Sequence, residues 1–396
     1  MRKHRLPKGF LASGIHCGVK KKRKDLSLLY SKTPCRAAAL FTRNMVKAAP
    51  VVLAEELIRK NGHVNGVVIN SGNANCMAGK RGMNDARKTA SHLAKLLGVS
   101  KDAILVSSTG IIGRFMSMKP IISGMFKLVA GLSADGLIDA AEGIMTTDRF
   151  HKIASRVFTA GDRKITITGI AKGAGMVKPD MATMLCYILT DADISKKAMK
   201  KVLSAVTETS FNAITVDGDM STNDTVMLLA NGEADNKLIK EKGKDFKLFQ
   251  KNLSEVSGDL ARMIVRDGEG ASKFIEVRVK GAAAVSNAKK MAGAIANSLL
   301  VKCAVLGGDP NWGRVASSAG ASGVAFDPDK MEVILDGVTF YRNGKFVSAK
   351  NRKTGSVFKG KDTRIEVDLH SGEAEAVVFS CDISKRYITL NAHYTT

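Results

Sequence analysis

Nine consecutive residues, Met181 to Leu189, run Met-Ala-Thr-Met-Leu-Cys-Tyr-Ile-Leu almost without a polar break. The run is far too short to span a bilayer. It reads as a strand covered on both faces, which requires apolar layers above and below it. The rest of the chain supplies those layers. Val64 to Asn70 is a short β-branched run entering the loop Ser71-Gly72-Asn73-Ala74-Asn75. Asn84 is placed as the N-cap of a helix with Ala86, Ala90, Leu93, Ala94 and Leu97 on one face, closed by Gly98. Ile104 to Ser107 reads as a strand, and Pro120 as the first residue of the helix that follows. Asp135 to Met145 is helical in pattern, Ile165 to Ile170 alternates as a strand, and Ser195 to Phe211 is an amphipathic helix. Turn signals cluster near the end: Asn343-Gly344 between Phe340 and Phe346, and Ser371-Gly372 between Ile365 and Val378. The sum is a mixed α/β chain with strands buried between helices.

Composition narrows the function classes. At 396 residues and 45% hydrophobic the chain is long enough for a well-buried core. No stretch suits a transmembrane helix, and the basic N-terminus lacks the cleavage site of a signal peptide. Six scattered cysteines without a C-x-x-C pair point to reduced thiols, as in the cytoplasm. The seven histidines show no metal-ligand spacing, so no metal site is expected. Phosphate-loop, dinucleotide, zinc-hydrolase and G-x-S-x-G patterns are all absent.

Charge is the outlier. The net formal charge is +24, and residues 1–182 hold 31 basic and 11 acidic side chains against 30 and 26 in 183–396. No aromatic residue interleaves the run Lys20-Lys21-Lys22-Arg23-Lys24. It therefore reads as a solvated face rather than a nucleic-acid interface.

The chemistry must then sit in loops dense in Gly, Asn, Ser and Thr at the ends of apolar strands. Thr109-Gly110 offers a hydroxyl and an unhindered backbone N–H, the parts of an oxyanion hole or merely of a tight turn. The segment Lys172-Gly173-Ala174-Gly175-Met176-Val177-Lys178-Pro179-Asp180-Met181-Ala182-Thr183-Met184-Leu185 is more specific. Here the chain resembles the glutamate N-acetyltransferase family, also called ornithine acetyltransferase, whose hallmark is this segment, with self-cleavage between the Ala and the Thr. The likeness extends through Asn70 to Asn75, Ser108 to Gly113, Thr146-Thr147-Asp148, Val216 to Asp224, Arg266 to Ala271, Asp309 to Arg314 and Asn391 to Thr396. Departures are few: Arg149 and His151 stand where Thr and Pro often follow the T-T-D triplet, and Met220 and Cys303 replace Thr.

The resemblance implies a layered α/β/β/α body, like that of the self-processing N-terminal-nucleophile aminopeptidases. It implies cleavage at Ala182–Thr183 into fragments 1–182 and 183–396 that share one core, assembled as two of each. It implies Thr183 as nucleophile, Thr109 and Gly110 as oxyanion hole, and Thr146, Lys172, Thr183, Glu269, Asn391 and Thr396 as the substrate-binding set. The implied reaction passes acetyl from N-acetyl-L-ornithine to L-glutamate in arginine biosynthesis, with no cofactor. The motifs leave open acetyl-CoA as a further donor. The rival reading is an amidase or aminopeptidase on a similar scaffold, which would hand the acyl group to water.

Overall fold

The computed structural model describes residues 4–60, 62–178, 184–347 and 354–393. In chain order the described residues form β1 (Phe10–Ile15), β2 (Leu26–Phe41), α1 (Ala49–Lys60), β3 (His63–Asn73), α2 (Gly79–Leu97), β4 (Ile104–Ile111), α3 (Met118–Ala130), α4 (Leu137–Gly143), β5 (Lys152–Ala160), β6 (Arg163–Lys172), β7 (Leu185–Thr190), α5 (Lys196–Thr209), β8 (Thr225–Ala230) and α6 (Lys244–Arg266). Then follow β9 (Phe274–Ala282), α7 (Val285–Asn297), α8 (Leu299–Gly307), α9 (Trp312–Gly320), β10 (Glu332–Leu335), β11 (Val338–Arg342), β12 (Lys345–Phe346), β13 (Asp362–Asp368), β14 (Ala374–Cys381) and α10 (Lys385–His393). The class is mixed α/β with two sheets. Among the described residues no single helix is long and apolar enough to cross a membrane.

The described residues divide into two compact units, the first holding those up to Asn212 together with Asp219–Ile264, the second Ala213–Gly218 and the described residues from Val265. The first unit contains an eight-stranded sheet in the order β4-β3-β2-β8-β7-β6-β5, with β1 paired to β2. Its β7 is buried at every residue, as the apolar run requires. Leu185, Tyr187 and Leu189 join a core built with α1 to α4. By strand alternation Cys186 and Ile188 face the other side. There α6 lies so close to β6 that a side chain at Gly169 would meet Leu260 Cδ1 at 2.7 Å. Helices therefore cover both faces. Strands β6 and β7 pair antiparallel over six residues.

The second unit carries a six-stranded sheet in the order β12-β11-β10-β13-β9-β14. Helices α7 and α9 pack on its apolar face, and its core includes Val277, Val279, Met291, Ile295, Val333 and Ile365.

Several local expectations hold. Ser195 caps α5 by accepting from the Ala198 N–H, and Gly98 ends α2 in the left-handed region. Asn343 and Gly344, with φ of 51° and 69°, form the two-residue turn that pairs β11 with β12. Others are corrected. Asn84 is not a cap: α2 begins at Gly79, because Asn75 and Met77 at positive φ turn the chain into the helix earlier. Pro120 is the third residue of α3, not the first. The helix expected over Asp135 to Met145 is limited to Leu137–Gly143. The Ser371-Gly372 turn joins β13 to β14, but the two are not hairpin partners, since β9 lies between them and pairs with both. The opening residues of the Met181 to Leu189 run, Met181 to Thr183, lie outside the described residues; the strand is described from Leu185.

Candidate active site

Thr109 and Gly110 lie near the C-terminal end of β4, which runs parallel to β3. The register slips there, so that Asn73 is opposite both Thr109 and Ile111. Gly110 takes φ of +130°, and a Cβ on it would lie 2.4 Å from the backbone carbon of Gly72. Only glycine fits so close an approach of two backbones. Amide side chains tie this strand end together. Ser108 Oγ donates to Asn70 Oδ1 at 2.6 Å, Asn70 Nδ2 donates to Asn73 O at 2.8 Å, and Asn223 Nδ2 donates to both Ala74 O and Ser108 O.

Lys172, the last residue of β6, reaches this point: its Nζ donates to Thr109 Oγ1 at 3.1 Å. A hydroxyl has one donor and two acceptor sites. By accepting from an ammonium, Thr109 keeps its own O–H for donation elsewhere, and the adjacent charge makes it a stronger donor. The pair is thus equipped to stabilise a developing oxyanion.

Asp148 holds the third piece. It is fully buried and accepts from Lys152 Nζ at 2.6 Å, from the Gly173 N–H at 2.8 Å and from the Thr146 N–H at 2.9 Å. One carboxylate therefore joins the Thr146 turn to the residue after Lys172. Burial by itself would raise its pKa. The Lys152 charge and then the Lys172 charge, with the hydrogen bonds from Lys152 and Gly173, overcome burial and hold the carboxyl well below the ordinary range.

The basic run is not simply a solvated face. Lys20 Nζ donates to Met145 O at 2.9 Å and an Arg23 guanidinium N–H to Asp148 O at 3.1 Å, both to the loop carrying Thr146. Buried Asp25 shapes this approach by accepting the N–H groups of Cys17, Gly18 and Lys20. Burial lowers Lys20 to about 8, against the pull of Asp25. Lys21, Lys22 and Arg23 are exposed, as a solvated face requires, but spacing along a loop does not reveal that Lys20 turns inward.

In the second unit, Asn391 on α10 donates through Nδ2 to Glu269 Oε2 at 2.8 Å. Ser384 Oγ donates to Gly270 O, which pins the start of that helix to the same loop. The expected residues therefore fall into two groups, Thr109, Gly110, Thr146 and Lys172 in the first unit and Glu269 with Asn391 in the second. Ala182, Thr183 and Thr396 lie outside the described residues. Sequence reasoning passed over Asp148, Asn223 and Lys152 and took Lys20 only as part of a basic run. Asp148 and Asn223 stood within the family-like segments, where their burial was the missing signal; Lys152 had none.

Known proteins resemble this chain over nearly its whole length. The arginine biosynthesis bifunctional protein ArgJ of Geobacter sulfurreducens is 47% identical over 392 residues, covering 98% of this chain and 99% of that one. The protein of the same name from Caldanaerobacter subterraneus subsp. tengcongensis is 44% identical over 395 residues, covering 99% and 98%. A crystal structure of ArgJ from Bacillus halodurans superposes with a TM-score of 0.50 at 36% identity, covering 52% of this chain and 98% of that one. The ArgJ family pattern matches residues 11–396, and this chain belongs to the ArgJ family.

Proposed function

We propose that this protein moves the acetyl group of N-acetyl-L-ornithine to L-glutamate in arginine biosynthesis, through an acetyl ester on Thr183. The observation that carries the reading is the Lys172–Thr109 contact at 3.1 Å, beside the strained Gly110 and tied through Asp148 to Thr146. Three loops separated in sequence converge on donors suited to a tetrahedral oxyanion.

A threonine hydroxyl is a poor nucleophile at neutral pH and needs a base. An N-terminal threonine carries one, since an α-amine has a reference pKa of about 7.7–8.0. That amine exists only after the Ala182–Thr183 peptide bond is broken. In maturation the Thr183 hydroxyl attacks the Ala182 carbonyl, the C–N bond breaks, and the acyl chain passes to oxygen. Water then hydrolyses the ester, which frees the Ala182 carboxylate and the Thr183 amine. In turnover the hydroxyl attacks the acetyl carbonyl and the amine takes its proton. Collapse of the intermediate expels ornithine, whose nitrogen receives that proton. Glutamate's amine then attacks the acetyl ester by the reverse route.

Thr109 and Gly110 supply the oxyanion donors, a contribution of about 3–4 kcal/mol per donor by analogy with other acyl transfers. Lys172 suits a substrate carboxylate and Glu269 an ammonium, with Thr146, Thr183, Asn391 and Thr396 completing the binding set. No metal or bound cofactor takes part, and acetyl-CoA enters only as a second donor. The two fragments stay in one core, assemble as two copies of each and work in the cytoplasm.

Intact-mass measurement tests the reading directly. Two fragments dividing at Ala182–Thr183 are expected, and a single uncut Thr183→Ala chain whose acetyl transfer falls by about a thousandfold or more. Acetate release from N-acetylornithine that is indifferent to glutamate would instead favour the hydrolase.

A further inference from the structure

Beside the Thr146 turn the first unit holds a cavity of about 290 Å³ whose lining includes none of the residues assigned above to acetyl transfer. Arg23 and Lys24 enter it from the loop after β1, and Arg149 and His151 from the loop before β5. Met145 and Phe150 supply apolar wall. One carboxylate, Glu142, lines it too, and is engaged by Lys24 at 2.9 Å, with His151 Nδ1 3.9 Å away.

The excess charge is positive and partly held in place. The Arg23 guanidinium is anchored by one N–H on Asp148 O. A guanidinium has five N–H donors in a fixed plane, so an anchored fork still presents others. Lys24 is steadied between Asp139 and Glu142. Two guanidinium groups on opposing loops match the tetrahedral, multiply charged oxygens of a phosphoryl group better than one carboxylate. Arg149 and His151 are also the two residues that stand where Thr and Pro often follow the T-T-D triplet.

We propose that this cavity is a subsite for a phosphoryl group. Two sources share that chemistry: the phosphorylated tail of a thioester acyl donor, which would sit beside the Thr146 turn, or a free phosphorylated anion acting from outside the reaction. Only the first rests on the acetyl-transfer reading.

Inorganic diphosphate is the probe, titrated calorimetrically into the whole protein and into Arg149→Thr, which restores the family residue at an exposed position. Saturable binding that weakens with salt is expected in the parent, at least about tenfold weaker in Arg149→Thr. Heat absent up to about 10 mM diphosphate, or equal affinity in the two proteins, overturns the proposal. Because this readout needs no turnover, it stands or falls separately from the acetyltransferase reading. Kinetics then separate the sources. If the donor tail binds here, Arg149→Thr raises KM for acetyl-CoA but not for acetyl-pantetheine, and diphosphate competes with acetyl-CoA. If the anion is free, diphosphate still binds while both KM values stay unchanged. KM for N-acetylornithine is the same in both proteins in either case.

Discussion

In the first unit every residue of β7 and β8 is buried, whereas in the second β13 alternates buried positions with exposed or half-buried ones. The open face of the second sheet is tiled with ion pairs, such as Arg364 with Glu276 across the β13–β9 register and Lys280 with Glu366. Those charges stay in contact with water, so their attraction is screened and their loss is cheap. The first unit also buries charge, as at Asp148 and Lys152, an ion pair with both side chains fully buried and further hydrogen bonds to the carboxylate. Neither of those partners can be removed without stranding the other. A buried ion pair therefore fixes the geometry of the Thr146 and Lys172 loops, while an exposed ladder leaves its sheet tolerant of change.

The largest effect that tests this contrast is Asp148→Asn. It leaves the Lys152 ammonium buried without its carboxylate and should cost about 3–5 kcal/mol of unfolding free energy in urea titrations. A loss under 1 kcal/mol would erase the distinction between the sheets. The pH dependence has a definite sign. Asp148 titrates lower when folded than its unfolded value of about 3.9, so its stabilisation is complete above that value and drains away as pH falls towards the folded one. The parent should therefore lose stability more steeply than Asp148→Asn as pH is taken down from about 5.

Thr109→Val keeps the shape of the strand end but deletes the hydroxyl that accepts from Lys172. A kcat reduced by about 100- to 1,000-fold, with KM little changed, is the expected result for an oxyanion donor. Lys20 sharpens the comparison through pH. It loses its proton near 8 in the vicinity of Lys172, so KM for carboxylate substrates should rise about fivefold between pH 7 and 9. In Lys20→Arg, which stays charged, that rise should flatten. The smallest effect belongs to the second sheet. A double-mutant cycle on Arg364 and Glu276 should return only about 0.2–1 kcal/mol, falling further in high salt.

How much of this was legible beforehand depended on whether the determining contacts were local. The Asn343-Gly344 turn, the Ser195 cap and the Gly98 helix end were readable, because each is decided by neighbours within a few residues. The doubly covered strand was readable from its unbroken apolar run. The Ser371-Gly372 turn misled because its dipeptide specifies a reversal, while pairing of the returning strand depends on β9, about a hundred residues earlier. The loops of Gly, Asn and Thr marked where a site could lie, and the order of motifs marked which family.

The sequence by itself thus determined the α/β class, the covered strand, the glycine at 110 and the family to which the chain belongs. Only the tertiary structure decided that Asp148 joins two of those loops, that Lys20 turns inward from a basic run, and that Arg23 shares a cavity with Arg149 and His151. Backbone geometry and apolar periodicity are written into neighbouring residues. The partner of a buried charge is chosen by the fold, which brings distant segments within a few ångströms and removes the water between them.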